Sequence, residues 1–223
     1  MALGDLLDLV FPRRCVVCAQ PGGDLCERCC GRIPRLPEPV CERCGAPTAW
    51  PVLRCRECAG RRLAFATARA AVVYDAGVRA LVAAWKERGL RRLSALAGEF
   101  VHERVSRPPV EAVTFVPADR DRALARGHHP AAALARDLSR RWELELVPAL
   151  ERTRLTPRQT GLPLAVRRRN VAGAFAPAGP VARNIALADD VYTTGATASE
   201  AASALRRGGA LRVHVVTFAR AVR

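Results

Sequence analysis

The stretch Ile185-Ala-Leu-Ala-Asp-Asp-Val-Tyr-Thr-Thr-Gly-Ala-Thr197 limits the fold more tightly than any other part of the chain. Four apolar residues run straight into two adjacent acids, then into a small hydroxyl-and-glycine loop, then into the helix-forming Ala198-Ser-Glu-Ala-Ala-Ser-Ala-Leu205. That order predicts strand, loop, helix. The loop has the chemistry to hold an anion. Thr193, Thr194 and Thr197 offer hydroxyl donors, Gly195 lets the backbone turn to positive φ or come close to a ligand, and the free amides of the following helix face the same place. A phosphate monoester fits such a cradle.

The two acids need a separate role. Successive side chains of an extended segment point to opposite sides, so Asp189 and Asp190 are poorly placed to chelate one metal together. They are better placed to accept hydrogen bonds from neighbouring hydroxyls, and a phosphate beside a diol describes a ribose 5-phosphate. No Gly-Lys-Ser/Thr follows, which excludes a P-loop. The competing structural reading is a strand ending in an Asx-rich turn. Two acids followed by Thr-Thr-Gly-Ala-Thr resemble the 5-phosphoribosyl-1-pyrophosphate (PRPP) loop of type I phosphoribosyltransferases. The resemblance implies that Asp189, Asp190, Val191, Tyr192, Thr193, Thr194, Gly195, Ala196 and Thr197 bind PRPP. The acids would hold the ribose hydroxyls, and residues 193–197 the 5′-phosphate.

All nine cysteines fall between Cys15 and Cys58, eight of them in four C-x-x-C pairs. A C-x-x-C turn presents two thiolates on one side of a knuckle, and two knuckles complete the Cys₄ shell of structural Zn²⁺. Sequential pairing gives one site from Cys15, Cys18, Cys26 and Cys29 and a second from Cys41, Cys44, Cys55 and Cys58. The intervening loops of seven and ten residues are short, so interleaved pairing stays open, and Cys30 is either a bystander or a substitute for Cys29. Disulfides compete less well in a chain with no export signal. Full Cys₄ ligation leaves no open coordination position, so the metal is expected to be structural.

The cysteine boundary predicts two domains, residues 1–62 and 63–223. Within the second, strands are expected at 70–74, 110–117, from 185 and at 211–218. Helices are expected at 78–87, 90–105, 130–142 and 196–207. Alternation of this kind predicts an α/β fold, a parallel sheet with helices on both faces, with ligands at the carboxyl ends of its strands. Leu3, Leu6, Leu7 and Val10 have the spacing of a short amphipathic helix. Asp5 and Asp8 precede any basic residue, which makes a poor signal peptide, and no apolar run of about 20 residues exists to cross a membrane. A cytoplasmic protein is expected.

The formal charge is +15, from 35 Arg and a single Lys, Lys86, against 21 acids. Basicity suits an anionic partner: PRPP, nucleic acid or both. Aromatics make up only 5% of residues and do not interleave with the basic ones, which favours a small ligand over single-stranded DNA. Residues 156–175 form a long basic segment of little periodicity containing Arg158, Gln159, Arg167, Arg168, Arg169 and Asn170. Lying close to a pyrophosphate, such a mobile loop could fold over it.

Taken together, the four cysteine knuckles, Trp85-Lys86, Val116-Pro117 with Arg122 and Arg126-Gly127, the segment from Gln159 to Phe175 and the Asp189 loop resemble the ComF family. The resemblance spans nearly the whole chain. It implies a double zinc ribbon joined to a type I phosphoribosyltransferase-like domain, and an association with natural competence and DNA uptake. It assigns Lys86, Arg122 and Arg126 to the pyrophosphate side, with Asp189 and Asp190 as catalytic acids on ribose and Mg²⁺ bound with PRPP. The acceptor and the oligomeric state are not implied. One departure stands out, because His128-His129-Pro130 replaces an aromatic, Asn and Gln. Pro130 suits the first residue of a helix, and the histidines read better as a loop cap than as a metal pair. Two other readings compete with a transferase: a PRPP-sensing or single-stranded-DNA-binding competence factor, and a ribbon adaptor that docks competence machinery.

Overall fold

The computed structural model describes residues 13–21, 23–118, 128–153 and 172–222. Residues 1–12, and with them the expected N-terminal amphipathic helix, lie outside it.

Among its described residues the cysteine-rich region holds one short helix, α1 (Glu27–Arg32), and is otherwise built of knuckles. Isolated antiparallel bridges, Arg14 to Pro21 and Val40 to Pro47, close the first knuckle of each ribbon. The rest alternates as expected: β1 (Thr67–Val73), α2 (Ala76–Lys86), α3 (Leu93–Arg104), β2 (Ala112–Phe115), α4 (Pro130–Trp142), β3 (Glu145–Leu146), β4 (Leu150–Arg152), β5 (Phe175–Pro177), β6 (Asn184–Tyr192), α5 (Ala196–Arg207) and β7 (Arg212–Arg220). Five strands form one parallel sheet in the order β1-β7-β6-β2-β3. A separate antiparallel pair joins β4 to β5.

Several boundaries differ from expectation. β1 begins three residues earlier than the apolar run suggests, because Thr67, Ala68 and Arg69 pair with His214, Val215 and Val216 of β7, with Ala68 buried in one core and Ala71 in the other. Its free edge is covered by ribbon backbone, the Leu36 amide donating to Ala71 O at 3.0 Å and the Val73 amide to Pro34 O at 2.8 Å. Phe175, read as the end of the basic segment, is instead fully buried in β5. Arg220 lies beyond the expected end of the last strand, yet β7 carries it in, paired with Tyr192 of β6.

The two faces of the sheet carry separate cores. On one, Ala186 and Ala188 of β6 meet Val78, Leu81 and Trp85 of α2, Phe100 of α3 and Leu134 and Leu138 of α4. On the other, Ile185 and Leu187 meet Ala201 and Leu205 of α5 together with Cys41, Cys44, Cys58 and Phe65 from the ribbon side. The second ribbon therefore packs into the same core as α5. Because α4, which follows β2, covers one face and α5, which follows β6, covers the other, the chain leaves the adjacent strands β2 and β6 toward opposite faces at their carboxyl ends. That is the position at which open α/β sheets bind ligands.

Candidate functional site

The period of the strand sorts the two acids. Asp190 shares the face of Ala186 and Ala188, toward α2, and Asp189 the opposite one. On the α2 side the chain's single lysine ends the helix, and Lys86 Nζ lies 2.6 Å from Asp190 Oδ2. Asp190 is buried while the Lys86 side chain stays 31% exposed, so the pair is partly shielded from water. Burial opposes the charge on Lys86, but Asp190 and Asp189 outweigh it and hold its pKa above the ordinary value. Asp189 accepts from the Asp190 amide at 2.9 Å. Burial first, then the neighbouring Asp190 charge, pushes its carboxyl up to about 7, against the pull of Lys86 and Arg152.

Beyond the acids, Gly195 has φ +71°, the left-handed region, and forms the N-cap of α5. A Cβ there would collide with the Tyr192 hydroxyl, so the position needs glycine twice over. Thr194 is buried, and its Oγ1 accepts from the Ala196 amide at 3.3 Å. The loop thus folds back on the start of a twelve-residue helix, whose first amides point into it.

His128 and His129 play the structural part. The Nε2 of His128 is 2.6 Å from the Trp85 carbonyl, which ties this segment to the end of α2 beside Lys86. His129 caps α4, its Nδ1 accepting from the Ala132 amide at 3.2 Å, with Pro130 as the first helical residue. Burial keeps the His129 pKa below its ordinary value.

Lys86, Asp189, Asp190 and the 191–197 loop therefore converge at the carboxyl ends of the central strands. Arg122, Arg126, Arg158, Gln159, Arg167, Arg168, Arg169 and Asn170 lie outside the described residues. Three arginines were not anticipated at this site. Arg152 acts on Asp189, donates to Pro117 O at 3.1 Å and lies 5.1 Å over the Phe175 ring. Arg61 donates to the Thr194 carbonyl at 2.6 Å. Arg220 stacks 4.5 Å over Tyr192. The sequence signal for two of them is position: Arg152 lies four residues before the basic segment, and Arg61 follows the last knuckle.

The cysteines form two four-ligand groups, Cys15, Cys18, Cys26 and Cys29, and Cys41, Cys44, Cys55 and Cys58, with all ligand atoms of each within 4.8 Å of one another. Pairing is sequential, and Cys30 stands outside both. The Sγ–Sγ separations of 3.7 Å for Cys18–Cys26, 3.6 Å for Cys41–Cys58 and 3.5 Å for Cys44–Cys55 are far from a disulfide. They approach the edge of about 3.8 Å that a tetrahedron with 2.3 Å Zn–S bonds requires. Burial pushes the Cys44 and Cys58 thiols up, whereas at Cys41 the amides of Cys44, Cys55 and Arg43 outweigh burial and bring the thiol down to about 7. These are two Cys₄ zinc-binding sites. They are the only such ligand clusters among the described residues.

Residues 6–59 match the double zinc ribbon domain family. Over 223 aligned residues, 93% of this chain and 96% of the other, the chain is 30% identical to the DNA utilization protein YhgH of Escherichia coli O6:H1. Competence protein F of Haemophilus influenzae is 35% identical over 144 residues, 61% of this chain and 62% of that protein. The chain belongs to the ComF-like family. Its ComF-like membership agrees with the resemblance carried by the knuckles and the Asp189 loop. Among solved structures, the glutamine PRPP amidotransferase from B. subtilis complexed with ADP and GMP is similar at a TM-score of 0.36 and 19% identity, over 58% of this chain and 26% of that one. A likeness of that size bears on neither ligand nor activity. Among the described residues no helix is long and apolar enough to cross a membrane.

Proposed function

We propose that this ComF-like protein binds PRPP with Mg²⁺ and transfers its phosphoribosyl group to an acceptor, within competence or DNA utilization in the cytoplasm. The observation that carries the reading is the left-handed Gly195 turn, which joins two acids on the central strand to the N-terminus of α5. In this reading the turn sets an anion cradle, residues 193–197, next to two acids that would accept from a diol.

In this reading the amides and hydroxyls of residues 193–197 bind the 5′-phosphate, and the Asp189 and Asp190 carboxylates accept from the ribose hydroxyls. Lys86, and with it Arg122 and Arg126, face the pyrophosphate and stabilise the charge that develops on it. The acceptor attacks C1′, the C1′–O bond breaks with its electron pair leaving on pyrophosphate, and the acceptor's proton goes to solvent. Mg²⁺ prefers oxygen ligands and substrate phosphates, and when bound it would neutralise the leaving group; Asp189, the acid not paired with Lys86, is the carboxylate available to it. Positioning supplies most of the remaining rate. The basic segment with Arg158, Gln159 and residues 167–170 would close over the pyrophosphate. We take residues 1–62 as the ribbon unit and 63–223 as the transferase-like unit.

Isothermal titration of zinc-loaded protein with PRPP and Mg²⁺ tests this. Saturable binding that disappears in the Asp189→Asn/Asp190→Asn double variant is expected, and no heat at millimolar PRPP would overturn the reading.

One observation favours a second reading, a non-catalytic competence factor that holds single-stranded DNA. Trp50 is 69% exposed on the second ribbon beside a groove of about 640 Å³ flanked by Arg54 and Arg56. An exposed indole among guanidiniums is a stacking platform. Under this reading Trp50→Ala weakens oligonucleotide binding and leaves PRPP titration unchanged.

A further inference from the structure

We propose that Arg61 and Arg220 are positioning residues that make the shape of the phosphate loop depend on a filled second metal centre, the one formed by Cys41, Cys44, Cys55 and Cys58. The inference rests on the reading of residues 193–197 as the phosphate loop.

Both arginines reach from that centre to the loop, and every anchor they use lies in or beside its knuckles. Arg220, only 1% exposed, donates from Nη1 to the Cys44 carbonyl at 2.7 Å and from Nη2 to Glu57 Oε2 at 2.6 Å, with the Cys44 sulfur 3.9 Å from Nη2. Cys44 is a metal ligand, and Glu57 sits between the ligands Cys55 and Cys58. The other side of the same guanidinium covers the Tyr192 ring at 4.5 Å. Tyr192 is the floor of the loop, since its hydroxyl occupies the space that any side chain at Gly195 would need. Phe65 holds the far edge of that ring in a T-shaped contact at 6.2 Å.

Arg61 acts on the loop backbone itself. Its Nη1 donates to the Glu57 carbonyl at 3.4 Å and its Nη2 to the Thr194 carbonyl at 2.6 Å. A trans peptide is planar, with its N–H antiparallel to its C=O. Fixing the Thr194 carbonyl toward the ribbon therefore aims the Gly195 N–H the opposite way, into the cradle. A guanidinium anchored on the metal knuckle thus sets the direction of a phosphate-binding amide. Both contacts span more than 130 residues of sequence, so neither belongs to the local turn.

Without the metal, the four thiols lose the bonds that hold the two knuckles together, and Cys44 and Glu57 stop being fixed points. Tyr192 and the Thr194 carbonyl then lose their outer supports together. Coupling of this kind is reciprocal: a metal that orders the loop for its ligand is itself held more tightly once the ligand is bound.

The reciprocal direction gives a measurement that needs no catalysis. Zinc release from the full chain to a chromophoric chelator is followed with and without ribose 5-phosphate, which requires no Mg²⁺. The phase belonging to the second centre is identified by its absence in Cys58→Ser. Ribose 5-phosphate is expected to slow that phase about fivefold or more, within the usual range of coupling between sites, and to leave the first-centre phase unchanged. Arg61→Gln should abolish the slowing while the protein still holds two zinc ions. Ribose 5-phosphate that binds by titration yet leaves both phases unchanged would overturn the coupling and spare the loop assignment. Ribose 5-phosphate that does not bind at all would overturn the loop assignment instead. Hydrogen exchange then decides the coupling by itself: the amides of residues 193–196 should exchange about tenfold faster in Cys58→Ser than in the zinc-loaded chain, and equal rates would sink it.

Discussion

Gly195 is the residue on which the site turns, because its φ of +71° and the Tyr192 hydroxyl beneath it both exclude a side chain. Gly195→Ala should cost about 1–3 kcal/mol in urea unfolding and remove PRPP binding, whereas alanine at an ordinary loop glycine would do neither. Lys86 presents the opposite case, a side chain whose loss leaves a charge behind. Lys86→Met strands the buried Asp190 carboxylate and should destabilise the protein by about 3 kcal/mol, with most of that recovered when Asp190→Asn is added. Asp189 makes stability depend on pH. Its carboxyl is raised from an ordinary 3.8 to about 7, so between those values the folded chain keeps a proton that the unfolded chain has lost. The contribution is fully present below pH 4 and is lost as pH rises through 7. Asp189→Asn should therefore raise the melting temperature relative to the parent more at pH 8 than at pH 5. These roles were only partly legible in the sequence. Strand alternation separates Asp189 from Asp190, but the pairing of Asp190 with Lys86 depends on where α2 ends in space, which no spacing rule supplies.

Among the elements, α4 and α5 are bounded where the sequence places them, because each begins with an unambiguous signal, Pro130 after a capping histidine and the Gly195 turn. β1 and β7 were harder to bound, since alanine and arginine at strand ends carry little propensity and tertiary pairing decides. β3, β4 and β5 are two or three residues long and exist only through their partners. The knuckles were legible as chemistry but not as connectivity. Four C-x-x-C pairs point to metal, whereas sequential pairing emerges only once the ribbons fold. Metal analysis tests the assignment: Cys30→Ser should retain two zinc ions per chain, and Cys29→Ser should retain one.

At the scale of the whole molecule, the ribbon region and the sheet are joined more closely than the abrupt change in composition suggests. Cys41, Cys44 and Cys58 share a core with Phe65, Leu187 and Leu205, and ribbon backbone closes the edge of β1. A sequence reads such a boundary from cysteine content, yet burial is set by which apolar surfaces meet. The same reasoning explains why nothing in the sequence ties Arg61, Arg152 or Arg220 to the site among 35 arginines: composition marks none of them, and only contacts of long sequence separation do. The proposed transfer depends on a single ribose-phosphate site where β6 hands over to α5. The most direct measurement is hydrogen exchange of the zinc-loaded protein with and without PRPP and Mg²⁺. Protection is expected to concentrate in the amides of residues 189–199 and to diminish in Asp189→Asn/Asp190→Asn. Protection confined to the ribbon around Trp50, or none at all, would contradict it.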